Sequence, residues 1–152
     1  CDVLISALGF RLKGIAPWHS PSDPEFLAQA TRAIVGAAKT HGIRRVFAIS
    51  AGGVGDSYEQ MPGAFKFFIK ASALRSVYPR LGEMESVLLS SGLDVCICRP
   101  TGLTDGPVTG QTRVVTSLQG RATISRADVA AWLLTQLDAN PLAKTPVITV
   151  TG

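Results

Sequence analysis

The sequence predicts an α/β domain built on a doubly wound parallel sheet, with part of one side of that sheet absent. Short apolar runs typical of buried strands alternate with amphipathic helical stretches, and short loops join them. Such alternation requires parallel strands with right-handed crossovers. The length of 152 residues suits a single domain, and 46% hydrophobic against 17% charged residues is the balance of an ordinary globular protein. About four or five strands and about four helical segments are expected.

The first half of the chain is predicted to run strand, helix, strand and loop. Residues 2–8 are a short apolar run closed by a glycine, as expected of a strand buried on both faces. A helix begins at residues 22–25 (SDPE), where a capping side chain precedes a proline and an acid, and it ends at Gly42. The second strand, residues 45–50, stops in a glycine-rich turn. We expect residues 56–63 to form a mobile loop.

The second half is predicted to continue the alternation. A helical pattern covers residues 64–77, and Pro79 is expected to interrupt it and to begin a second segment. Residues 125–128 (SRAD) form a capping box that begins the last helix. The remaining expected elements are a third strand at residues 93–99 that Pro100 breaks, a loop at 102–110, a short edge strand at 113–116 and a last strand at 146–150.

The start of the chain points to a segment before it. Cys1 leads at once into the first predicted strand, and a buried strand is an unusual place for a gene to begin. No charged region followed by an apolar region, the pattern of a signal peptide, is present. We therefore expect a further segment N-terminal to Cys1.

The charge pattern favours a small-molecule partner over a polymer. The formal net charge is +4, from 15 Lys and Arg against 11 Asp and Glu, and the basic residues are scattered. A nucleic-acid surface shows a denser basic stripe, so no nucleic-acid partner is expected. Attraction for a phosphorylated or carboxylated small molecule and plain solubility both agree with the charge. The apolar runs fall short of the ~20 residues of a membrane helix, so no membrane partner is expected.

The three cysteines do not form a disulfide framework. Cys96 and Cys98 fall inside a predicted strand and are expected to be core residues. A reducing compartment, and hence a cytoplasmic location, is the simplest interpretation. Two histidines and three scattered cysteines show no spacing of metal ligands, so no metal site is expected.

Small, polar or kinked residues follow three of the predicted strands, at residues 6–9 (SALG), 50–53 (SAGG) and 99–102 (RPTG). In open α/β sheets, ligands bind beyond the carboxyl ends of the strands. If the three strands are neighbours, their ends form one ledge whose main-chain groups can hold the ribose and amide groups of a nucleotide. The alternative is that Gly and Ser merely terminate strands. The G-x-G-x-x-G turn that wraps a pyrophosphate does not occur, so we expect that turn in the preceding segment.

Four runs of sequence carry a family resemblance: residues 2–9 (DVLISALG), 91–94 (SGLD) leading to Arg99-Pro100, 103–110 (LTDGPVTG) and 124–130 (ISRADVA). They resemble the atypical short-chain dehydrogenase/reductase-like NAD(P)-binding proteins, the group of flavin reductase/biliverdin reductase B and NmrA-like proteins. The resemblance covers the chain from about residue 2 to residue 150 but only the later part of the family's domain. It implies a partial, C-terminal portion of a Rossmann-like fold, with residues 1–152 as a single NAD(P)-binding domain whose N-terminal βαβ portion is missing.

The resemblance also implies a cofactor, NADP or NAD, across the ledge. Seven residues would contact it, from the ribose and pyrophosphate through the nicotinamide ribose to the nicotinamide. In that order they are Leu8 and Gly9, then Ser50 and Ala51, then Pro100, Thr101 and Leu103.

The resemblance further implies that the loops of residues 52–63 and 104–110 cover the substrate. The residues implied for the substrate are Gly52, Gly53, Tyr78, Arg80 and Thr109.

The catalytic pair is where the sequence departs from the family. Classical members use Tyr-x-x-x-Lys, in which the lysine lowers the pKa of the tyrosine. Here Tyr78 is followed four residues later by Gly82, Pro79 alters the helix, and Arg80 is expected to point elsewhere. We therefore expect no standard Tyr/Lys chemistry and assign no catalytic residue. Hydride transfer to a flavin or tetrapyrrole does not require the pair.

An aromatic and basic stretch lies between the second and third strands. Phe65, Phe67 and Phe68 with Lys66 and Lys70 are able to stack on and pair with a flat anionic substrate. Ordinary helix packing with solvated lysines is the favoured interpretation.

The sequence is compatible with three classes of function. The first is an NAD(P)H-dependent oxidoreductase that transfers hydride to a small planar or carbonyl acceptor of the flavin, quinone or tetrapyrrole type. The alternative is a non-catalytic NAD(P)-binding redox sensor or an assembly or regulatory protein, and a third class is an interaction fragment that binds no nucleotide. The sequence leaves open the choice between NAD and NADP, and whether the protein is a homodimer.

Overall fold

Helices and strands alternate along the chain in a computed structural model, which describes residues 2–21, 23–116, 122–139, 142 and 146–151. A 3-10 turn lies at Gly55–Tyr58. The α-helices are α1 (Phe26–Thr40), α2 (Gly63–Lys70), α3 (Leu74–Leu89) and α4 (Arg126–Thr135). The strands are β1 (Val3–Ser6), β2 (Arg45–Ile49), β3 (Asp94–Pro100), β4 (Gly102–Thr104), β5 (Thr112–Val115), β6 (Thr123–Ser125) and β7 (Val147–Thr151).

The main sheet has the strand order β1-β2-β3-β7-β5. Its first four strands are parallel, and β5 pairs antiparallel with β7 at the edge. Ser6 lies opposite Ala48, and Ile49 lies opposite Cys98. The first three strands therefore end at the same edge of the sheet, which confirms the predicted neighbourhood of their ends.

Helices cover both faces of the sheet, so the doubly wound α/β fold is confirmed. Successive side chains of a strand point to opposite faces. Val46 and Ile97 belong to the apolar cluster that α1 and α3 cover, whereas Phe47 and the two cysteines belong to the cluster with residues of α4. Cys96 and Cys98 are fully buried, and burial raises the pKa of both thiols, that of Cys98 to about 12. Both are core residues, as predicted.

Two helix starts follow the local sequence signals. The Asp23 carboxylate accepts hydrogen bonds from the backbone N–H groups of Glu25 (3.0 Å) and Phe26 (3.1 Å), where α1 begins. Ser22, the other candidate cap, lies outside the described residues. Ser125 Oγ accepts a hydrogen bond from the Asp128 N–H at 2.9 Å, which confirms the predicted capping box at the start of α4.

The prediction that Pro79 separates two helices is wrong. The break comes earlier, between α2 and α3, where the Ala73 N–H donates to the Ile15 carbonyl (2.9 Å) and the Leu74 N–H donates to Ser72 Oγ (3.3 Å). The exposed Pro79 lies inside α3. A proline forfeits one helical hydrogen bond and strains the turn before it. Packing of the buried side chains of α3 offsets that cost, and those side chains are Val77, Leu81, Met84 and Leu88.

The hydrogen bonds of the structure differ from the sequence-based expectation at three further places. Strand β3 runs through Pro100, because the neighbouring Thr101 N–H still reaches Thr149 O (3.2 Å) and the Gly52 N–H donates to Pro100 O (2.8 Å). Residues 102–104, expected in a loop, form β4 and pair with β6. The segment 56–63, expected as a loop, begins within the 3-10 turn Gly55–Tyr58, closed by the Ser57 hydroxyl, which accepts from Gly53 N (3.0 Å) and donates to Val54 O (2.7 Å); its mobility stays a prediction.

The described residues contain seven strands in two sheets, more than the four or five expected. No helix in the described ranges has the length and the hydropathy that crossing a bilayer requires.

Candidate cofactor and substrate site

The carboxyl ends of β2 and β3 are locked together by backbone hydrogen bonds. The Ser50 N–H donates to Cys98 O, and the Gly52 N–H donates to Pro100 O, each at 2.8 Å. Leu8 follows the neighbouring strand β1 and packs against the apolar cluster beneath α1 and α3. The three sequence-predicted segments therefore meet on one edge of the sheet. This is the place where open α/β sheets bind ligands.

The Ser50 hydroxyl is a buried polar group in need of a partner. Ser50 is only 8% exposed, and its Oγ has no hydrogen-bond partner among the described residues. A buried hydroxyl without a partner costs about 1–3 kcal/mol, so buried polar groups are usually satisfied. An unsatisfied hydroxyl at the end of β2 fits a ligand that brings its own donor or acceptor, such as a ribose hydroxyl or an amide.

A cavity of about 650 Å³ lies beside this edge. One wall comes from the segment before α2 and from α2 itself, and the other comes from Thr101, β4 and β6. All the lining side chains that the structure describes are uncharged, and the two threonine hydroxyls are the only polar side-chain groups among these. The lining residues are Met61, Pro62, Ala64, Phe65 and Phe68 on the first wall, and Thr101, Gly102, Leu103, Ala122 and Thr123 on the second.

Gly52 and Gly53 do not line the cavity, but their lack of a side chain leaves room for a residue that does. A Cβ atom on Gly52 would lie 3.2 Å from Met61 Cε and 3.3 Å from the Pro100 carbonyl. Gly53 has φ +94°, and a Cβ there would lie 3.0 Å from Met61 Cε and 3.2 Å from Tyr78 Cε1. The two glycines therefore let Met61, a cavity residue, pack directly on the end of β2.

The Tyr78 hydroxyl bonds a backbone carbonyl, and the position of the family's lysine is occupied by Gly82. The hydroxyl donates to the Gly52 carbonyl at 3.1 Å. Burial raises the pKa of Tyr78 to about 12, so the phenol stays protonated at neutral pH. Tyr78 is not among the residues that line the cavity. Its role here is to hold the turn after β2.

Arg80 and Thr109 also lie outside the cavity lining. Arg80 Nη1 contacts Glu25 (2.9 Å) on one side and Glu83 (2.8 Å) on the other, so its charge is already paired. Thr109 donates from its N–H and its hydroxyl to the buried carboxylate of Asp128, at 2.8 Å each. Asp128 thereby holds the loop that follows β4.

The aromatic stretch on α2 divides between cavity and solvent. Phe65 and Phe68 line the cavity, whereas Phe67 is 73% exposed and does not. Lys66 pairs with Glu59 at 2.9 Å and lies 5.3 Å from the centre of the Tyr58 ring. The favoured interpretation of this stretch as plain helix packing therefore misses two wall residues. Their i, i+3 spacing was the available signal.

Three wall residues were not predicted from the sequence: Ala64, Ala122 and Thr123. Ala64 continues the α2 wall, but Ala122 and Thr123 give no local signal, because β6 joins the site only by pairing with β4. The pairing of Arg99 was not predicted either: Arg99 belongs to the predicted ledge and to a family motif, and the structure shows it buried and paired with Glu85 and Asp56.

The parallel sheet, the aligned strand ends and the adjoining cavity define a nucleotide-binding protein of the Rossmann-like class. The family model described as NAD(P)H-binding matches residues 1–140, and the chain belongs to that family. Family membership identifies the cofactor class as NAD(P)H. It also agrees with the resemblance to the atypical short-chain dehydrogenase/reductase-like proteins.

Solved structures of other proteins share this Rossmann-like fold. ChuY from Escherichia coli O157:H7, described as an anaerobillin reductase, is 25% identical over 98% of this chain and 63% of its own, with a TM-score of 0.75. ChuY from E. coli CFT073 is 28% identical over 82% of this chain and 65% of its own, with a TM-score of 0.69. A short-chain dehydrogenase/reductase from Veillonella parvula in complex with NADP shares the fold at 22% identity, with a TM-score of 0.68 over 85% of this chain and 68% of its own.

The chain thus spans less than two thirds of either ChuY protein. A comparison with functionally curated proteins gives no significant match.

Proposed function

We propose that the protein is an NAD(P)H-dependent oxidoreductase whose acceptor is a small planar molecule with a largely apolar body, of the flavin, quinone or tetrapyrrole type. One observation carries the proposal: the unsatisfied Ser50 hydroxyl and an apolar cavity lie at the same edge of the sheet, where the Gly52 N–H donates to the carbonyl of Pro100, the residue before the cavity residue Thr101. The anaerobillin reductase description of a 25% identical protein supports a reductase.

The residues proposed to hold the cofactor are those of the ledge. Leu8 and Gly9 would border the ribose and pyrophosphate, and the Ser50 hydroxyl would gain its missing hydrogen bond near the nicotinamide ribose. The remaining proposed contacts are Ala51 beside Ser50, and Pro100, Thr101 and Leu103 beside the nicotinamide. The bound reduced nicotinamide supplies the hydride. No turn that wraps the pyrophosphate is assigned, because the sequence contains no G-x-G-x-x-G motif.

The cavity walls would orient the acceptor and exclude water from it. Phe65 and Phe68 offer flat apolar surface on one side, and Leu103 offers apolar surface on the other. Among the residues that the structure describes, no titratable side chain lines the cavity, and Thr101 Oγ1 lies 3.3 Å from the carbonyl of Thr149. The proton that accompanies hydride uptake would therefore come from solvent. Acceptors that need no enzyme acid, such as flavins and quinones, fit this arrangement.

The cofactor part of the proposal is tested with Ser50→Ala. We expect the dissociation constant for NADPH, measured by fluorescence titration, to rise about 2- to 10-fold, because one hydrogen bond contributes about 0.5–1.5 kcal/mol. The free energy of unfolding should stay unchanged or rise, since the substitution removes an unsatisfied buried hydroxyl. Ser86→Ala is the control, because that exposed hydroxyl bonds its own helix at Gly82 O. An unchanged NADPH affinity in Ser50→Ala contradicts the assignment.

The acceptor part is tested with Ala64→Trp, which fills the cavity from an exposed position on α2. We expect kcat/KM for NADPH oxidation with FMN or menadione to fall at least about tenfold, or 1.4 kcal/mol, with NADPH affinity retained. Phe67→Trp is the matched control, since it places the same side chain on the same helix outside the cavity. Equal losses in both variants contradict the cavity as the acceptor site.

The alternative function, a non-catalytic NAD(P)-binding sensor, is favoured by one observation. Tyr78 lies outside the cavity lining with a raised pKa and a hydroxyl bonded to Gly52, and none of the described lining residues is an acid or a base. Tight NADPH binding, with no acceptor raising the rate of oxidation above background, would select the sensor.

A further inference from the structure

A buried ion cluster links the core to the loop beside the cavity. At the end of β3, Arg99 donates from Nε and Nη2 to the two carboxylate oxygens of Glu85, at 3.0 and 2.6 Å. Its remaining terminal nitrogen, Nη1, donates to Asp56 Oδ1 at 2.6 Å. The side chains of Arg99 and Glu85 are 4% and 5% exposed, whereas that of Asp56 is 79% exposed. A cation fixed in the core thus holds an anion that belongs to a surface turn.

The guanidinium also lies directly against the backbone of that turn. Gly55, at φ +57°, is so close that a Cβ there would lie 3.1 Å from Arg99 Nη2. The other polar contacts within the turn are local, such as those of Ser57 with Gly53 and Val54. The backbone hydrogen bond from Gly52 to Pro100 attaches the start of the turn to β3. The ion pair between Asp56 and Arg99 is a second attachment to β3, further along the turn.

The cluster and the site share the same two stretches of chain. Asp56 lies between Ser50, at the cofactor edge, and Met61, at the start of the cavity wall. Arg99 is followed directly by Pro100 and Thr101, the second of which lines the cavity. A displacement of Asp56 from Arg99 would be passed to Met61 along only five peptide units.

We propose that Asp56 is a positioning residue which, through Arg99, holds residues 53–61 against the sheet edge and so sets the shape of the acceptor cavity. The effect on the acceptor rests on the proposed function, whereas the hold on the loop does not. The hydrogen bond from Arg99 lowers the pKa of Asp56 below its usual value. The carboxylate therefore stays charged throughout the neutral range, and substitution is the suitable test.

The first measurement needs no ligand. We expect Asp56→Asn to raise hydrogen–deuterium exchange in peptides covering residues 53–61 about tenfold, while exchange in the strands of the main sheet stays as in the wild type. Glu59→Gln is the matched control, because it neutralises another exposed acid of the same loop that pairs with Lys66 and not with Arg99. Asp56→Glu keeps the carboxylate and should restore most of the protection. Wild-type exchange in Asp56→Asn overturns the proposal.

The second measurement connects the loop to the site. For NADPH oxidation with menadione, we expect Asp56→Asn to raise the KM for the acceptor about fivefold with kcat changed less than about twofold, since loop order acts on acceptor binding. Rescue by Asp56→Glu is expected again. Faster exchange with an unchanged KM overturns the link to the cavity. If the wild type oxidises no NADPH, the proposed function fails, and the exchange result still decides whether Asp56 holds the loop.

Discussion

Glu85→Ala is expected to lower the free energy of unfolding by about 3–5 kcal/mol, because it leaves the buried Arg99 guanidinium without its main partner. Both residues are at most 5% exposed, and two hydrogen bonds join them side by side. Asp56 would remain as the one carboxylate on that cation. A domain of this size has about 5–15 kcal/mol of stability in total, so the loss is a large fraction of it. Urea unfolding followed by circular dichroism measures the effect.

Two further variants test whether the loss of stability in Glu85→Ala comes from leaving a buried charge unpaired or from breaking an ion pair of any kind. Glu83→Ala removes a carboxylate from the same helix that also pairs with an arginine, but that pair is solvent-exposed. It should cost at most about 1 kcal/mol. The double variant Glu85→Leu with Arg99→Met replaces the buried pair by apolar side chains of similar size and should be more stable than Glu85→Ala alone. Equal losses for Glu83→Ala and Glu85→Ala would contradict the argument.

Gly53→Ala is expected to cost about 2–5 kcal/mol of stability, the sum of backbone strain and overpacking. At φ +94° an L side chain is strained whatever space surrounds it. The added methyl would also meet Met61 Cε at 3.0 Å and the Tyr78 ring at 3.2 Å. Because Met61 lines the cavity, we also expect a higher KM for the acceptor. Urea unfolding and steady-state kinetics measure the two effects.

Gly36→Ala is expected to change the free energy of unfolding in the opposite direction. Gly36 lies inside α1, has open space where a Cβ would stand, and is exposed. Alanine there should raise the free energy of unfolding by up to about 1 kcal/mol, since glycine is the weaker helix former. If both glycine variants change stability in the same direction and by the same amount, the positive φ of Gly53 is not the cause.

Local sequence patterns predict most of the fold because strands and helices of this class differ in hydrophobic period. The apolar runs at β1, β2 and β3, the helix start at Asp23 and the capping box at Ser125 are each readable within a few residues, and all agree with the structure. Pro79 is one exception, since its helix is stabilised by packing against the sheet. Tertiary burial outweighs a local propensity there.

The sequence predicts only part of the candidate site. Glycine and serine after β2 and the Arg-Pro-Thr run at the end of β3 indicate where a ligand would bind, and the structure brings those segments together. The cavity wall and the ion cluster depend on contacts between residues far apart in the chain, such as Arg99 with Asp56 and Gly102 with Thr123. One sequence shows no periodicity for such pairs, because nothing local fixes which residues meet.

The carboxylate of Asp128 has two structural duties. It belongs to the capping box that begins α4, and it also receives Thr109 and the Gly110 N–H from the loop after β4. Helix initiation and the loop after β4 therefore share a single anchor. On heating, fraying of the first turn of α4 and release of that loop should occur as one cooperative event. The loop would then keep its shape until the helix itself begins to melt.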